Sequence, residues 1–202
     1  MRTGIVCVAL MLPGVLTAQS RDDEVALALS AAPPVIAAHA TVYVLTPTGY
    51  AKARDGSNGF TCLVMRDHLR THPDEQGPVC YDAEGTRAIA PRIMAEARMR
   101  IAGKSEAEIH RAMQDGLKNG TYRATTRAGI AYMLSPRARG LYPGTDSIVS
   151  VEPHIMIYAP YLRNADIGGV VPKLGEQLQM PFVLDEGEFN AYIIVPMARP
   201  GD

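Results

Sequence analysis

Cys62 and His154 are the residues of this sequence best suited to nucleophilic catalysis. A cysteine attacks as the thiolate, and a neighbouring imidazole can keep it deprotonated. Asp166 or Asn164, which follow His154 in the chain, could orient that ring, as in a cysteine-dependent hydrolase. A nucleophilic cysteine is favoured at a helix N-terminus, however, whereas Cys62 lies in a predicted strand. We therefore assign no catalytic residue from the sequence.

A disulfide gives Cys62 a competing role. Cys80 lies 18 positions further along the chain, and Cys7, the third cysteine, belongs to an N-terminal segment that we expect to be removed. Two cysteines in an exported chain most simply form one disulfide. We therefore predict a Cys62–Cys80 disulfide and keep the hydrolase that uses Cys62 and His154 as the alternative.

His68 and His72 have the spacing of two zinc ligands on one helical face. Pro73 disfavours a helix at His72, and no third ligand follows at a suitable spacing. We expect a solvated loop here. The sequence therefore predicts neither a metal site nor a cofactor.

The segment around His154 suggests a binding surface. In a strand, His154, Met156 and Tyr158 share one face, and Ile155 and Ile157 share the other. We expect the isoleucines to face the core and the amphipathic set to form the wall of a pocket.

Two other strands could contribute to the same pocket. Arg66 ends one predicted strand and Tyr132 lies in another. Arginine, histidine and tyrosine around a concave surface suit an anionic small molecule. The predicted ligand-binding set is Arg66, Tyr132, His154 and Tyr158.

The predicted strands that position these residues precede and follow two predicted helices in the chain. Runs rich in β-branched and aromatic residues predict strands at 41–45, 50–54, 60–66, 129–135, 154–159, 182–184 and 191–195. The turn-rich segment 55–59 predicts a hairpin between the second and third runs. We expect segment 67–85 to be irregular.

The helices are the best-specified elements. Pro91 suits the first turn of a helix that runs to about Ala102. Ser105 and Glu108 form the capping box of a second helix, which Asn119 and Gly120 end. Strands, then helices, then strands favour an α+β fold with a largely antiparallel sheet packed against a pair of helices in a single domain.

The N-terminus has the pattern of a secretory signal. Arg2 precedes an apolar run at 5–16, and Ala18 offers a small residue for cleavage. The run is too short to span a membrane, and no later segment is long enough. We predict a signal peptide at 1–18 and an exported domain at 19–202, periplasmic or secreted.

The charge balance limits the class of partner. The formal net charge is −1, with no block of like charge. Binding to nucleic acid depends mainly on neutralising phosphates with basic residues, so we expect no nucleic-acid partner. An unknown small molecule or a protein partner remains.

Three stretches, at 56–64, 132–135 and 153–160, resemble a group of exported bacterial proteins of unknown function. The resemblance implies a bacterial, periplasmic setting and brings no known activity, cofactor or catalytic residue. The group often has a second histidine where this chain has Glu152, which argues against a two-histidine metal site on that strand. The sequence thus predicts an exported domain that binds a small ligand or a partner.

Overall fold

The computed structural model describes residues 21–142, 145–173, 176 and 180–197. The predicted signal peptide, residues 1–18, lies outside them. The helices are α1 (Arg21–Leu29), α2 (Pro34–Ala37), α3 (Ala83–Ala88), α4 (Ala90–Ile101), α5 (Glu106–Lys118) and α6 (Asn164–Ile167). The strands are β1 (Thr41–Thr46), β2 (Gly49–Arg54), β3 (Thr61–Met65), β4 (Gly77–Tyr81), β5 (Ile130–Met133), β6 (Arg139–Leu141), β7 (Ile148–Ser150), β8 (His154–Tyr158), β9 (Phe182–Leu184) and β10 (Tyr192–Pro196).

Eight of these strands form one sheet in the order β2-β1-β3-β4-β5-β8-β10-β9, and β6 and β7 form a separate ribbon. Within the described part of the chain, β1 and β3 are parallel, and the other neighbours in the sheet are antiparallel. The predicted α+β fold with a largely antiparallel sheet in one domain is therefore confirmed.

Helices pack on both faces of the sheet. The predicted pair, α4 and α5, is therefore only part of the helical packing against it. On one face, which we call the α1 face, Leu27 and Ala28 pack on Cys62 and Val64. On the other, the α4 face, a second cluster joins the sheet to helices α3 and α4. Its buried members include Leu63, Val79, Tyr81, Ile89 and Ala90.

Local signals explain the two central helices. Ser105 accepts a hydrogen bond from the Glu108 backbone N–H, and the Glu108 carboxylate accepts one from the Ser105 N–H, which closes the predicted capping box at α5. Pro91 lies in the first turn of α4, where its missing N–H costs no intrahelical hydrogen bond. Both helices therefore begin within a residue or two of their predicted starts.

The predicted hairpin around 55–59 is wrong. β2 instead pairs with β1 through a tight turn at 47–48, and β1 lies between β2 and β3. Segment 55–59 crosses the end of β1, where the Ser57 N–H donates to His39 O. A glycine-rich segment between β2 and β3 can join them as a hairpin or carry the chain across β1. The segment itself does not specify which strands pair.

The region expected to be irregular contains two regular elements. β4 spans Gly77–Tyr81, and α3 begins beyond Asp82, whose carboxylate caps the Gly85 N–H. Pro78 is tolerated in β4 although it lacks an N–H. The sequence expectation failed because Gly77 and Pro78 are unfavourable for strands in general.

Cys62 and Cys80 form the predicted disulfide, with an Sγ–Sγ distance of 2.01 Å. The two residues face each other directly across the β3–β4 pair, and both are fully buried. A disulfide of this kind fits an extracellular protein, because it persists in oxidising compartments. Among the described residues, no helix combines the length and apolar character needed to cross a membrane.

Candidate functional site

The register of the sheet separates the predicted site residues. Cys62 pairs with Cys80, Cys80 with Tyr132, and Tyr132 with Ile155. Residues paired directly across strands point to the same side of a sheet. Tyr132 therefore lies on the α1 face, where its ring contacts Phe60 at 6.1 Å between centroids.

Arg66 also belongs to the α1 side of the protein. Its guanidinium donates to Glu24 Oε2 of α1 at 2.8 Å and to Glu75 O at 3.0 Å. Both side chains of the Arg66–Glu24 pair are largely buried. Arg66 thus ties α1 to the segment that follows β3.

His154 and Tyr158 lie on the opposite face. Along β8, His154, Met156 and Tyr158 are buried, whereas Ile155 and Ile157 remain partly exposed. The expected burial was therefore reversed. Helix α1 contacts β1, β3 and β4, which leaves the isoleucine face of β8 without a comparable helical cover among the described residues.

The predicted convergence of Arg66, Tyr132, His154 and Tyr158 is wrong for the same reason. One sequence gives the alternation within each strand, but it does not give the register between strands. Arg66 and Tyr132 lie on the α1 side, and His154 and Tyr158 lie on the α4 face. The four residues do not form one site.

Tyr158 is held by the protein itself. Its hydroxyl donates toward Asp82 Oδ1 at 3.0 Å and Ile130 O at 2.9 Å, and burial raises the pKa of the phenol. The hydroxyl lies close to Gly85, where a Cβ would be only 2.2 Å from it. Tyr158 therefore fixes the start of α3 against the sheet.

The cysteine–histidine pair of a hydrolase is not formed. Cys62 is bonded to Cys80, and His154 lies on the other face. Asn164 binds the backbone of Val183 through both ends of its amide, and Asp166 accepts from the Arg163 N–H. Neither residue has a hydrogen bond to His154.

His68 and His72 do not form a metal centre with other residues. His68 Nδ1 lies 3.1 Å from Glu75, and His72 Nε2 lies 2.8 Å from Asp146. The two rings are 6.0 Å apart between centroids. Within the described ranges, no group of three or more histidine, cysteine, aspartate or glutamate residues could hold a metal ion.

A cavity of about 450 Å³ lies over the α4 face. Its floor is the end of the sheet that carries Met65, Met133, Met156 and His154, and α4 forms one wall. The remaining walls come from the loop after β3, from β6 and from the β9–β10 turn. This volume is within the usual range for small-molecule sites.

Arg92 of α4 borders this cavity and is 5% exposed. Its Nε donates to Ala88 O at 3.3 Å, and its guanidinium carbon lies 4.8 Å from the centre of the Phe189 ring. None of the carboxylates in the described part of the chain lies within ion-pair distance of Arg92. A buried guanidinium normally has such a partner.

The terminal nitrogens of Arg92 reach the cavity. Among the described residues, Glu24 Oε1 is the one side-chain nitrogen or oxygen that is both buried and without a hydrogen-bond partner. The two terminal nitrogens of Arg92 also have no hydrogen-bond partner among these residues but are not fully buried, so they keep some accessible surface. Arg92 lines this cavity, which is where we expect that surface to lie.

Two further polar atoms are accessible in the same way. The Tyr192 hydroxyl has no hydrogen-bond partner among the described residues. Burial raises the pKa of Tyr192, and the nearby charge of Arg92 offsets part of that rise. His154 Nδ1 faces Glu152 O at 2.7 Å and therefore donates to it, which leaves Nε2 as an acceptor. Burial lowers the pKa of His154 and favours this neutral form.

The opposite end of the cavity is acidic. Asp67 Oδ1 and Glu96 Oε2 lie 3.7 and 3.5 Å from the same nitrogen, Arg100 Nη1. Burial raises the pKa of both carboxyls, and Asp67 further raises the pKa of Glu96. The Asp67 side chain is 43% exposed and lines the cavity.

Comparison of the chain with protein-family models, with curated proteins and with solved structures gives no match in any of the three. The resemblance to exported bacterial proteins of unknown function therefore stays a prediction. Any functional assignment has to come from the site itself.

Sequence reasoning missed Arg92 and Tyr192. Arg92, Glu96 and Arg100 are four residues apart in turn and form one column of alternating charge on α4. This column is next to Ile93 and therefore lies at the edge of the apolar face of α4. Charged residues at such an edge could have been considered as candidates for a partly buried site.

Proposed function

We propose that this protein is exported and binds a small anionic molecule in the cavity over the α4 face, with Arg92 as the anchor. The observation that carries the proposal is the 5% exposed Arg92 guanidinium, which borders the cavity and has two nitrogens with no partner among the described residues. A carboxylate or phosphate would accept two parallel hydrogen bonds from such a group.

The surroundings of Arg92 favour an anion. The Phe189 ring fixes the plane of the guanidinium, and the Ala88 carbonyl uses only Nε. The group is thus oriented before a ligand arrives, which reduces the entropy cost of binding. The Tyr192 hydroxyl supplies an uncharged donor beside it.

Export is supported by residues 1–18 and by the buried disulfide. The apolar run after Arg2 has the length of a signal peptide, and a stable disulfide needs an oxidising compartment. We place the mature protein in the periplasm or the medium of a bacterium. A hydrolase that uses Cys62 and His154 has no structural support, because the two side chains lie on opposite faces.

Thermal unfolding in the presence of a simple probe tests the anion site. Hexanoate carries a carboxylate and an apolar tail, and hexanol carries the same tail without the charge. We expect hexanoate to raise the Tm of the wild-type protein and hexanol to have little effect. The shift should be lost in Arg92→Gln, because the amide cannot pair with the carboxylate.

Arg98→Gln is the matched control. Arg98 lies on the same helix but is exposed and outside this cavity, so its variant should respond to hexanoate as the wild type does. Equal shifts in wild type and Arg92→Gln would overturn the proposal. So would a wild type that shows no shift with hexanoate while native mass spectrometry of the periplasmic protein shows no retained small molecule.

A further inference from the structure

We propose that the ligand of this cavity is a zwitterion, a free amino acid or a dipeptide with an apolar side chain, whose ammonium lies between Asp67 and Glu96. This inference rests on the proposed function, because its carboxylate is the anion that Arg92 binds. It adds a second charged group, of opposite sign, at a defined end of the cavity.

Asp67 and Glu96 have unused capacity for hydrogen bonds. Among the described residues, both carboxylates pair with Arg100 Nη1, at 3.7 and 3.5 Å, and both distances are longer than a good charge-assisted hydrogen bond. Arg100 directs its stronger bonds elsewhere, since Nε and Nη2 donate to Glu106 at 3.0 and 2.9 Å. One guanidinium therefore serves three carboxylates, and the two that line the cavity are the less satisfied.

The charge of this end is suited to a cation. With one arginine among three acids, the cluster of Asp67, Glu96, Glu106 and Arg100 carries an excess of negative charge when ionised. Burial raises the pKa of Asp67 and Glu96, and Asp67 further raises the pKa of Glu96, which reflects the cost of holding two like charges near each other. An ammonium donating to both would offset that cost.

The separation of the two ends fits a short ligand. Arg92 and Glu96 are one helical turn apart, so their Cβ atoms are about 5–6 Å apart. A dipeptide extends over at most about 7 Å, and a single amino acid is shorter. A ligand of this size is therefore short enough to lie between two side chains that leave α4 one turn apart.

The floor between the two charged ends is apolar and adaptable. It contains Met65, Met133 and Met156, and a Cβ built on Gly77 would touch Met65 Cε at 3.5 Å and Met133 Cε at 3.6 Å. The thioether side chains thus come together in front of the sheet. Methionine side chains are flexible and fill irregular spaces, so they can accommodate an aliphatic or thioether side chain.

Isothermal titration with four leucine derivatives tests each end separately. Leucine and leucyl-leucine carry both charges, N-acetyl-leucine lacks the ammonium and leucinamide lacks the carboxylate. We expect the better of the two zwitterions to bind at least tenfold more tightly than N-acetyl-leucine or leucinamide, since a hydrogen bond to a charged group contributes about 1.5–3 kcal/mol. The tighter binder of leucine and leucyl-leucine shows whether the ligand is a free amino acid or a dipeptide.

Two variants separate a binding role from a structural one. Glu96→Gln should weaken the zwitterion about tenfold and leave N-acetyl-leucine unchanged. Asp115→Asn is the control, because Asp115 is an exposed carboxylate of α5 outside the cavity and its loss should not alter the preference for the ammonium. The Tm of each variant shows whether it is folded.

The possible failures are distinguishable. Equal affinity for the tighter-binding zwitterion and N-acetyl-leucine would refute the ammonium site and leave the anion site intact. Equal affinity for that zwitterion and leucinamide would refute Arg92 as an anchor and with it the proposed function. If none of the four binds, the zwitterion is refuted, and the hexanoate experiment decides the proposed function alone.

Discussion

Cys62 and His154 lie on opposite faces of the same sheet, with β4 and β5 between their strands. Three interstrand spacings place the two backbones about 14 Å apart. A thiolate and its general base must be within hydrogen-bonding reach, so this pair cannot act as one. His154 instead borders the cavity over the α4 face.

The disulfide should contribute to the stability of the fold. In the chain-entropy model, a crosslink with this separation of 18 residues stabilises the fold by about 3 kcal/mol. We expect Cys62→Ala with Cys80→Ala to lower the free energy of unfolding by about that amount in urea denaturation. Peptide mapping without reduction should find the two residues linked in the wild type, and two free thiols in periplasmic protein would contradict the bridge.

The buried pair of Arg66 and Glu24 should behave as a structural unit. Arg66→Met leaves Glu24 buried without its cation, and we expect a loss of about 3–5 kcal/mol. Adding Glu24→Gln removes the stranded charge, so the double variant should be more stable than Arg66→Met alone. Urea denaturation measures both. The predicted role of Arg66 in binding would be revived if Arg66→Met kept its stability but lost the hexanoate response.

Gly85 is required where α3 meets Tyr158. An added Cβ would lie 2.2 Å from the Tyr158 hydroxyl oxygen and 2.9 Å from Tyr81 Cβ. We expect Gly85→Ala to destabilise the protein by about 1–3 kcal/mol. Combined with Tyr158→Phe, which removes the hydroxyl, it should cost less than the sum of the two single changes. Strict additivity in a double-mutant cycle would show that the contact is not limiting.

The pH dependence of stability should reflect Asp67. Burial raises the pKa of this carboxyl in the folded protein, so the folded state binds the proton more tightly than the unfolded chain does. The stability it contributes is complete below the unfolded pKa and is lost as the pH rises through the folded pKa. We expect Asp67→Asn to gain stability relative to the wild type as the pH rises above about 4, the usual pKa of this side chain in an unfolded chain.

Denaturation curves at several pH values measure this difference. Asp115→Asn, at an exposed position of α5, is the control and should follow the wild-type profile. If Asp67→Asn lost stability progressively as the pH rose, the contact with Arg100 would outweigh the cost of burial, and the predicted sign would be wrong.

Export predicts a defined N-terminus. The apolar run that follows Arg2 and the small residue Ala18 place the cut near Gln19. Expressed in a bacterium, the protein should be recovered from the periplasm or medium with that N-terminus by intact-mass spectrometry. Cytoplasmic protein that still begins at Met1 would contradict both the signal and the proposed setting.

Sequence reasoning worked where a local signal decides the structure. The capping box at Ser105 and the proline at 91 defined two helices, and the cysteine count gave the disulfide. Alternation correctly placed His154 and Tyr158 on one face of β8. The helix starts and the strand alternation depend on residues that are close together in the chain. The disulfide had one simple pairing of cysteines.

What could not be predicted depends on register and strand order. Nothing within β5 or β8 says that Tyr132 faces Ile155 rather than His154, and that choice decides which tyrosine shares a face with the histidine. Arg92 was missed for a related reason. Its helix was predicted, but the loop that carries Phe189 and the cavity floor come from distant parts of the chain.

The disulfide has one further consequence, because the loop that it closes carries part of the cavity wall. Met65, Asp67 and Glu75 all lie between Cys62 and Cys80. Disulfide formation and ligand binding are therefore coupled. If the disulfide increases the affinity for a ligand by some factor, a bound ligand shifts the thiol–disulfide equilibrium toward the disulfide by the same factor. If the bridge does strengthen binding, a reduced chain would hold the proposed ligand less tightly than the oxidised protein does.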